Sequence, residues 1–153
     1  MLEEYLEEWS YLAVFVLSAL PWVESAAIVV LAIALGLNPI WSTVLAFTGN
    51  WITVALLITL FHRWQEWRNK KQPAEVRQQQ ESKKSRRAHK VFVKYGLPGL
   101  AVIGPLLIGT EVAVVFAMIF KAPRKNVLFW MTTSLAFWTV LFAAGAYYGF
   151  SII

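Results

Sequence analysis

Two carboxylates, Glu24 and Glu111, carry most of the acid–base chemistry this sequence can offer. Each stands at the head of an apolar run, Ser-Ala-Ala-Ile-Val-Val after Glu24 and Val-Ala-Val-Val-Phe-Ala after Glu111. A charged side chain at the centre of a bilayer costs ~2.5–3.5 kcal/mol or more, so it needs a partner, water or a proton. The basic residues nearest to Glu111 are Lys121, ten residues on, and Lys94, seventeen back. Neither lies within a helical turn. Proton or substrate handling is the functional reading. The structural one is that each Glu caps a half-helix N-terminus, where its charge meets the positive end of the dipole.

The residues around them break helices. Leu20-Pro21-Trp22-Val23 precedes Glu24, and Gly104-Pro105-Leu-Leu-Ile-Gly109-Thr110 precedes Glu111. Proline removes a donor and glycine permits close backbone approach. In lipid the freed backbone groups are tolerated only when buried in protein or lining a wet cavity. A half-helix starting there would favour a phosphate or a carboxylate, and a simple tight turn is the alternative. Asn50, in the polar patch Thr48, Gly49, Asn50 and Thr53, fits an interhelix hydrogen bond and a substrate contact equally well. Thr132, Thr133, Ser134 and Thr139 form a second patch. Gly145-Ala-Tyr-Tyr-Gly149 has the small-x-x-x-small spacing of closely packed helices, more often within a chain than in the seam of a homo-oligomer.

Other chemistries lack their residues. The chain has no Cys and no Asp, and its two His, His62 and His89, flank the charged centre. A thiolate metal site, a cysteine nucleophile and a Ser-His-Asp arrangement are excluded, and no phosphate-cradling Gly-x-x-x-x-Gly-Lys occurs. No metal, no cofactor and no enzymatic activity are expected. The net charge of +5 could serve nucleic acid, but no base-stacking aromatics are interleaved with the basic residues beyond Trp67.

The elements that hold these residues follow from charge spacing. Of 153 residues 58% are hydrophobic and 15% charged, against roughly 45–50% and about 25% in average globular chains. No charge falls among the 38 residues between Glu24 and Arg63, nor among the 28 from Asn126 to Ile153. A transmembrane helix needs about 20 apolar residues. An all-α integral membrane protein is therefore expected, with crossings at 39–62 and 127–153. The segments at 10–38 and 91–120 instead divide into apolar pieces of about 18 Å, too short for a ~30 Å hydrocarbon core.

Orientation follows from the basic residues. Residues 63–94 hold 11 of the 14 Lys and Arg, and Lys121, Arg124 and Lys125 form a second cluster. Short basic loops stay in the cytoplasm. Both clusters reach that side only if each broken segment is a re-entrant hairpin. The fold expected is an inverted repeat of re-entrant helical hairpin plus transmembrane helix. Repeat one covers 10–62, a basic cytoplasmic linker 63–90 and repeat two 91–153, in one membrane domain. The linker is a solvated loop or helix extension, anchored by Trp64 and Trp67 and suited to anionic lipid headgroups. The acidic start, MLEEYLEEWS, lacks the basic region of a secretory signal, so it is expected in the mature protein and outside. Pro21 to Pro39 and Pro105 to Pro123 are both 18 residues, a faint echo between the halves that differs by three residues from the alignment of the two Glu. Inverted repeats with broken helices are a transporter design, and if the two tips meet, their carboxylates become neighbours able to hold a proton.

These residues also carry a resemblance. Leu20-Pro21-Trp22-Val23-Glu24, Gly36-Leu37-Asn38-Pro39, Gly49-Asn50, Lys94-Tyr95-Gly96-Leu97-Pro98-Gly99-Leu100, Pro105 and Gly109-Thr110 together resemble the small multi-drug export protein family, placed with DedA/VTT-like membrane proteins. The chain departs from that pattern at Ala26 and Val30, where an Arg and a Pro are usual, and at Ile108 and Glu111. The resemblance implies an inner-membrane, multi-pass transport protein, and relatives in the wider superfamily are thought to move lipids or lipid phosphates. The expectation is transport of a small amphipathic or lipid-like substrate, with Glu24 and Glu111 offering proton coupling. The alternatives are a gradient-independent lipid scramblase or flippase, and a non-transporting membrane scaffold.

Overall fold

The computed structural model describes residues 2–21, 23–71, 90 and 92–151, and among these every regular element is helical. In chain order they are α1 (Leu2–Ser18), α2 (Ser25–Ala34), α3 (Pro39–Lys71), a π-helical turn (Phe92–Gly96) leading into α4 (Leu97–Leu107), α5 (Thr110–Ile119) and α6 (Arg124–Ser151). The basic linker expected at 63–90 begins as a continuation of α3, and its residues 72–89 lie outside the described residues. The Trp64 and Trp67 side chains are exposed.

Length and composition separate long helices from short ones. α3 has 33 residues and α6 has 28, roughly 50 and 42 Å at 1.5 Å per residue. Only a third of the apolar window of each is buried within the protein. A core helix of a soluble fold would be mostly covered, whereas Ile40, Trp41, Leu56, Leu60, Phe137 and Val140 all face outward. The crossing expected at 39–62 is longer, because the polar residues from His62 to Lys71 continue the same helix. α2 and α5 have ten residues each, about 15 Å and half of a hydrocarbon core.

The first broken segment departs from expectation at its start: the segment expected from residue 10 is helical from Leu2. Its break comes where Pro21 was expected to place it, between Ser18 and Ser25. In the second segment Pro105 does not make the break. It sits inside the last turn of α4, and the chain leaves the helix three residues later, where the amides of Ile108 and Gly109 both bond to the Gly104 carbonyl (2.9 and 3.0 Å). Proline near a helix C-terminus gives up one hydrogen bond, and Gly109, at φ +89°, supplies the left-handed residue that turns the chain.

The chain forms two compact units, Met1–Thr53 with Thr132–Ile153, and Val54–Met131. The first is built on Ile28, Val29, Ala32 and Ile33 of α2 with Val14, Ala46, Ala143 and Ala146. The second is built on Ala113, Val114, Ala117 and Met118 of α5 with Leu97, Ala101, Val127 and Met131. The core positions correspond. From 25 to 110, from 34 to 119 and from 39 to 124, the ends of α2 and α5 and the starts of α3 and α6 are offset by 85 residues. The same offset relates Ile28, Val29, Ala32, Ile33 and Ala46 to their counterparts in the second core. By this register Glu24 corresponds to Gly109 and Glu111 to Ala26, so the two carboxylates are not equivalent positions.

Polar residues on α3 are handled in two ways. Thr43, Thr48 and Thr59 donate to the carbonyls of Pro39, Val44 and Ala55 on their own helix (2.6–2.8 Å). Thr53 instead donates to the Ala19 carbonyl beyond α1 (2.6 Å), and Trp51 Nε1 donates to Thr132 Oγ1 of α6 (2.9 Å). Gly49 lets α1 and α3 approach: a Cβ there would strike the Phe15 carbonyl oxygen and lie 3.2 Å from the Ala19 amide and the Ser18 Cβ. Gly145 and Gly149 do not serve the intramolecular packing expected of them, since a Cβ at either meets nothing within 4 Å. They border an apolar cavity of ≈ 600 Å³ with Val30, Trp138 and Phe142 instead. Gly49→Ala should therefore lower stability by about 1–3 kcal/mol through overpacking against fixed backbone. Gly145→Ala should raise it by up to about 1 kcal/mol through helix propensity alone. Thermal unfolding of the two variants in detergent checks the opposite signs.

Candidate functional site

In the first unit the break between α1 and α2 carries Pro21, exposed in the turn, and Glu24, half-buried at the position before α2. Glu24 has extended backbone (φ −73°, ψ 132°), and its carbonyl accepts the amides of Ala27 and Ile28 (3.1 and 3.3 Å). Its side chain does not cap the helix. The charge thus stands beside the positive end of α2 without closing on its amides, so the capping arrangement expected of it is met in position and not in bonding. Ser25 follows, fully buried, its Oγ sharing a 2.9 Å hydrogen bond with Thr139 Oγ1 of α6. That bond ties the start of the short helix to a long one.

Asn50 is the other site residue of this unit. Its side chain has no exposed surface, and neither its Nδ2 nor its Oδ1 has a hydrogen-bond partner among the described residues. The hydroxyls of Ser18 and Ser42 are in the same condition. Ser18 packs near Gly49, the neighbour of Asn50, where α1 and α3 are closest. An amide buried without a partner costs about 1–3 kcal/mol, and the interhelix hydrogen bond expected of it is not made by any described residue. This unit therefore concentrates unsatisfied polar atoms at the ends of α1 and in α3.

In the second unit the residues Pro105, Gly109, Thr110 and Glu111 run through one short break. Pro105 is half-buried in α4, Gly109 makes the turn, and Thr110 and Glu111 form the first turn of α5. Thr110 has no exposed surface and Glu111 is 8% exposed. A carboxylate in the first helical turn is stabilised by the dipole, and such burial beside it sets Glu111 apart from the more open Glu24. Gly104 allows the return of the chain, for a Cβ there would lie 2.8 Å from the Ala113 side chain. Position 110 corresponds to 25 by the 85-residue register, so both short helices begin on a buried hydroxyl residue. Sequence reasoning passed over Ser25, although a hydroxyl directly after each break was a signal available to it. Among the described residues no group of three or more His, Cys, Asp or Glu could hold a metal ion.

Comparison with known proteins bears on what these breaks belong to. No curated protein and no solved structure matches the chain. A protein-family model matches residues 24–141, from Glu24 to the middle of α6, and so takes in both short helices α2 and α5, the second break, all of α3 and most of α6. With that match and two helices of membrane-crossing length, the chain is a membrane protein and belongs to the family described as Putative small multi-drug export protein.

Proposed function

We propose that the protein moves a small amphipathic or lipid-like molecule through the inner membrane, using Glu24 and Glu111 to couple that movement to protons. The observation that carries this reading is the pair of ten-residue apolar helices, each opening on a carboxylate at or next to its first residue beside a break in the chain. Helices of that length do not cross a bilayer, and carboxylate-bearing breaks at depth are how substrate and ion sites are made in transporters built from discontinuous helices. The family name supports export as the activity.

In this reading each broken segment is a re-entrant hairpin, and the two are inverted copies related by the 85-residue register. Pro21 and Pro105–Thr110 shape the tips. Asn50 and Ser18 give a passing polar group hydrogen bonds that the protein itself leaves open. The N-terminus lies outside and the basic segment 63–90 in the cytoplasm. Lys83, Lys84, Arg86 and Arg87 of that segment attract anionic lipid headgroups.

Three measurements test it. In proteoliposomes carrying a pH gradient, uptake of ethidium, a lipophilic cation, should fall at least tenfold in Glu24→Gln and in Glu111→Gln. Flux that needs no gradient and survives both substitutions, of ethidium or of a fluorescent phospholipid, would overturn the coupling; absence of flux for either probe would overturn transport. Asn50→Leu should keep or raise the melting temperature, because it removes an unsatisfied buried amide, yet lower ethidium flux several-fold; a stability loss of several kcal/mol would instead assign Asn50 to the scaffold. For orientation, Asn38→Cys and Pro123→Cys in this Cys-free chain should be labelled by impermeant maleimide from opposite faces.

A further inference from the structure

The turns that lead into the two long helices occupy corresponding places and have opposite chemistry. Before α3, Gly36 takes the left-handed conformation at φ +84°. Asn38 then caps the helix, its Oδ1 accepting the amides of Ile40 and Trp41 (2.9 and 3.3 Å). Before α6 the same two places hold Lys121 and Pro123. Lys121 adopts φ +56° without being glycine, the only described non-glycine residue with a positive φ. Pro123 has no side-chain acceptor to offer the helix. The first turn of α6 carries Arg124 and Lys125 and no acid, the reverse of what a helix N-terminus favours. The left-handed residue is held by the C-terminal cap of α5, where the amides of Lys121 and Ala122 bond to the carbonyls of Met118 and Ala117 (3.0 and 3.1 Å); what sets this turn apart is the crowding of cations at the start of α6.

That turn forms one wall of an open cavity of ≈ 530 Å³, whose other wall is the polar end of α3. Lys121 and Arg124 line it from the turn, and His62, Trp64, Arg68 and Asn69 from the helix. Gln65 fixes the two walls together by donating to the Met118 carbonyl (2.8 Å). Arg68 lies over the Trp64 ring at 5.2 Å. Of the described acids in this unit, Glu66 faces His62 at 3.5 Å and does not line the cavity. Three permanent cations and a positive helix end therefore surround the space.

We infer that this cavity holds the phosphate of an anionic phospholipid headgroup, with Lys121, Arg124 and Arg68 around it. A phosphate monoanion satisfies the N-terminus of α6 in place of a side-chain cap. The source is a lipid rather than free phosphate because Phe61 and Ile119 form an apolar flank beside the cations, and Trp64 on the same wall is a residue type suited to the boundary of acyl chain and headgroup. Basic pockets at the ends of transmembrane helices are suited to such headgroups. The site is separate from the breaks at Glu24 and Glu111, and it does not depend on what the protein carries.

The test uses the full-length protein in a neutral detergent, titrated with phosphatidylglycerol, phosphatidylcholine or inorganic phosphate while the melting temperature is followed. Phosphatidylglycerol should raise it saturably and phosphatidylcholine should not. Lys121→Gly should hold or raise the melting temperature without lipid, since glycine relieves the left-handed strain. The same variant should need about fivefold more phosphatidylglycerol for half the effect, the loss of roughly one cation's attraction. Arg124→Gln should weaken the response likewise, whereas Lys70→Gln, on α3 but outside the cavity, should not. Equal weakening by Lys70→Gln, or an unchanged response in both cavity variants, would overturn the site. An equal shift with inorganic phosphate at the same concentration would overturn the lipid as its source.

Discussion

Inside hydrocarbon a peptide group has no water to bond, so a chain that leaves the helix there must find partners for its backbone within the protein. Both breaks of this molecule supply such partners. At the first break the Glu24 carbonyl takes two amides, and Thr53 reaches across from α3 to the Ala19 carbonyl. At the second, the Gly104 carbonyl takes two amides as the chain turns through Gly109. The long helices earn their place by supplying side chains to these breaks: Thr139 holds Ser25, and Gly49 gives α1 room to end against α3.

The same constraint explains what could be read from the letters. Charge-free runs of membrane length locate α3 and α6, because a lysine or glutamate in lipid is costly enough to be written out of a sequence. The short helices were legible from Pro21, Glu24, Gly109 and Glu111 for the same reason. Exact breaks were not. Pro105 reads as a helix end, but a proline in a last turn forfeits only its own amide bond to the preceding turn and leaves few helical residues after it to disturb, and α4 carries it. The correspondence between the halves was blurred because neither the prolines nor the glutamates keep it. It is kept by packing, in the positions of Ile28, Val29, Ala32 and Ile33 against those of Ala113, Val114, Ala117 and Met118. Two of these pairs keep their residue, Val29 with Val114 and Ala32 with Ala117, and two change it, Ile28 with Ala113 and Ile33 with Met118, yet all eight are buried.

Asymmetry between corresponding positions is where function can settle. A buried hydroxyl opens each short helix, but a half-open glutamate precedes one and a nearly buried glutamate follows in the other. One connecting turn is relaxed and capped by its own asparagine, the other strained and crowded with cations. A fold that needed only stability would have converged on the easier solution twice.

The threonines of α3 that bond back to their own carbonyls have a consequence for biosynthesis. Counted by letter, Thr43, Thr48 and Thr59 make the segment look wetter than it is, whereas each hydroxyl has already spent its proton on the turn below. An insertion machinery that meets α3 as a formed helix therefore handles a greasier object than a hydropathy profile describes. Within the charge-free stretch of α3, the polarity it must still accommodate includes the amide of Asn50 and the hydroxyl of Ser42, which no described residue satisfies.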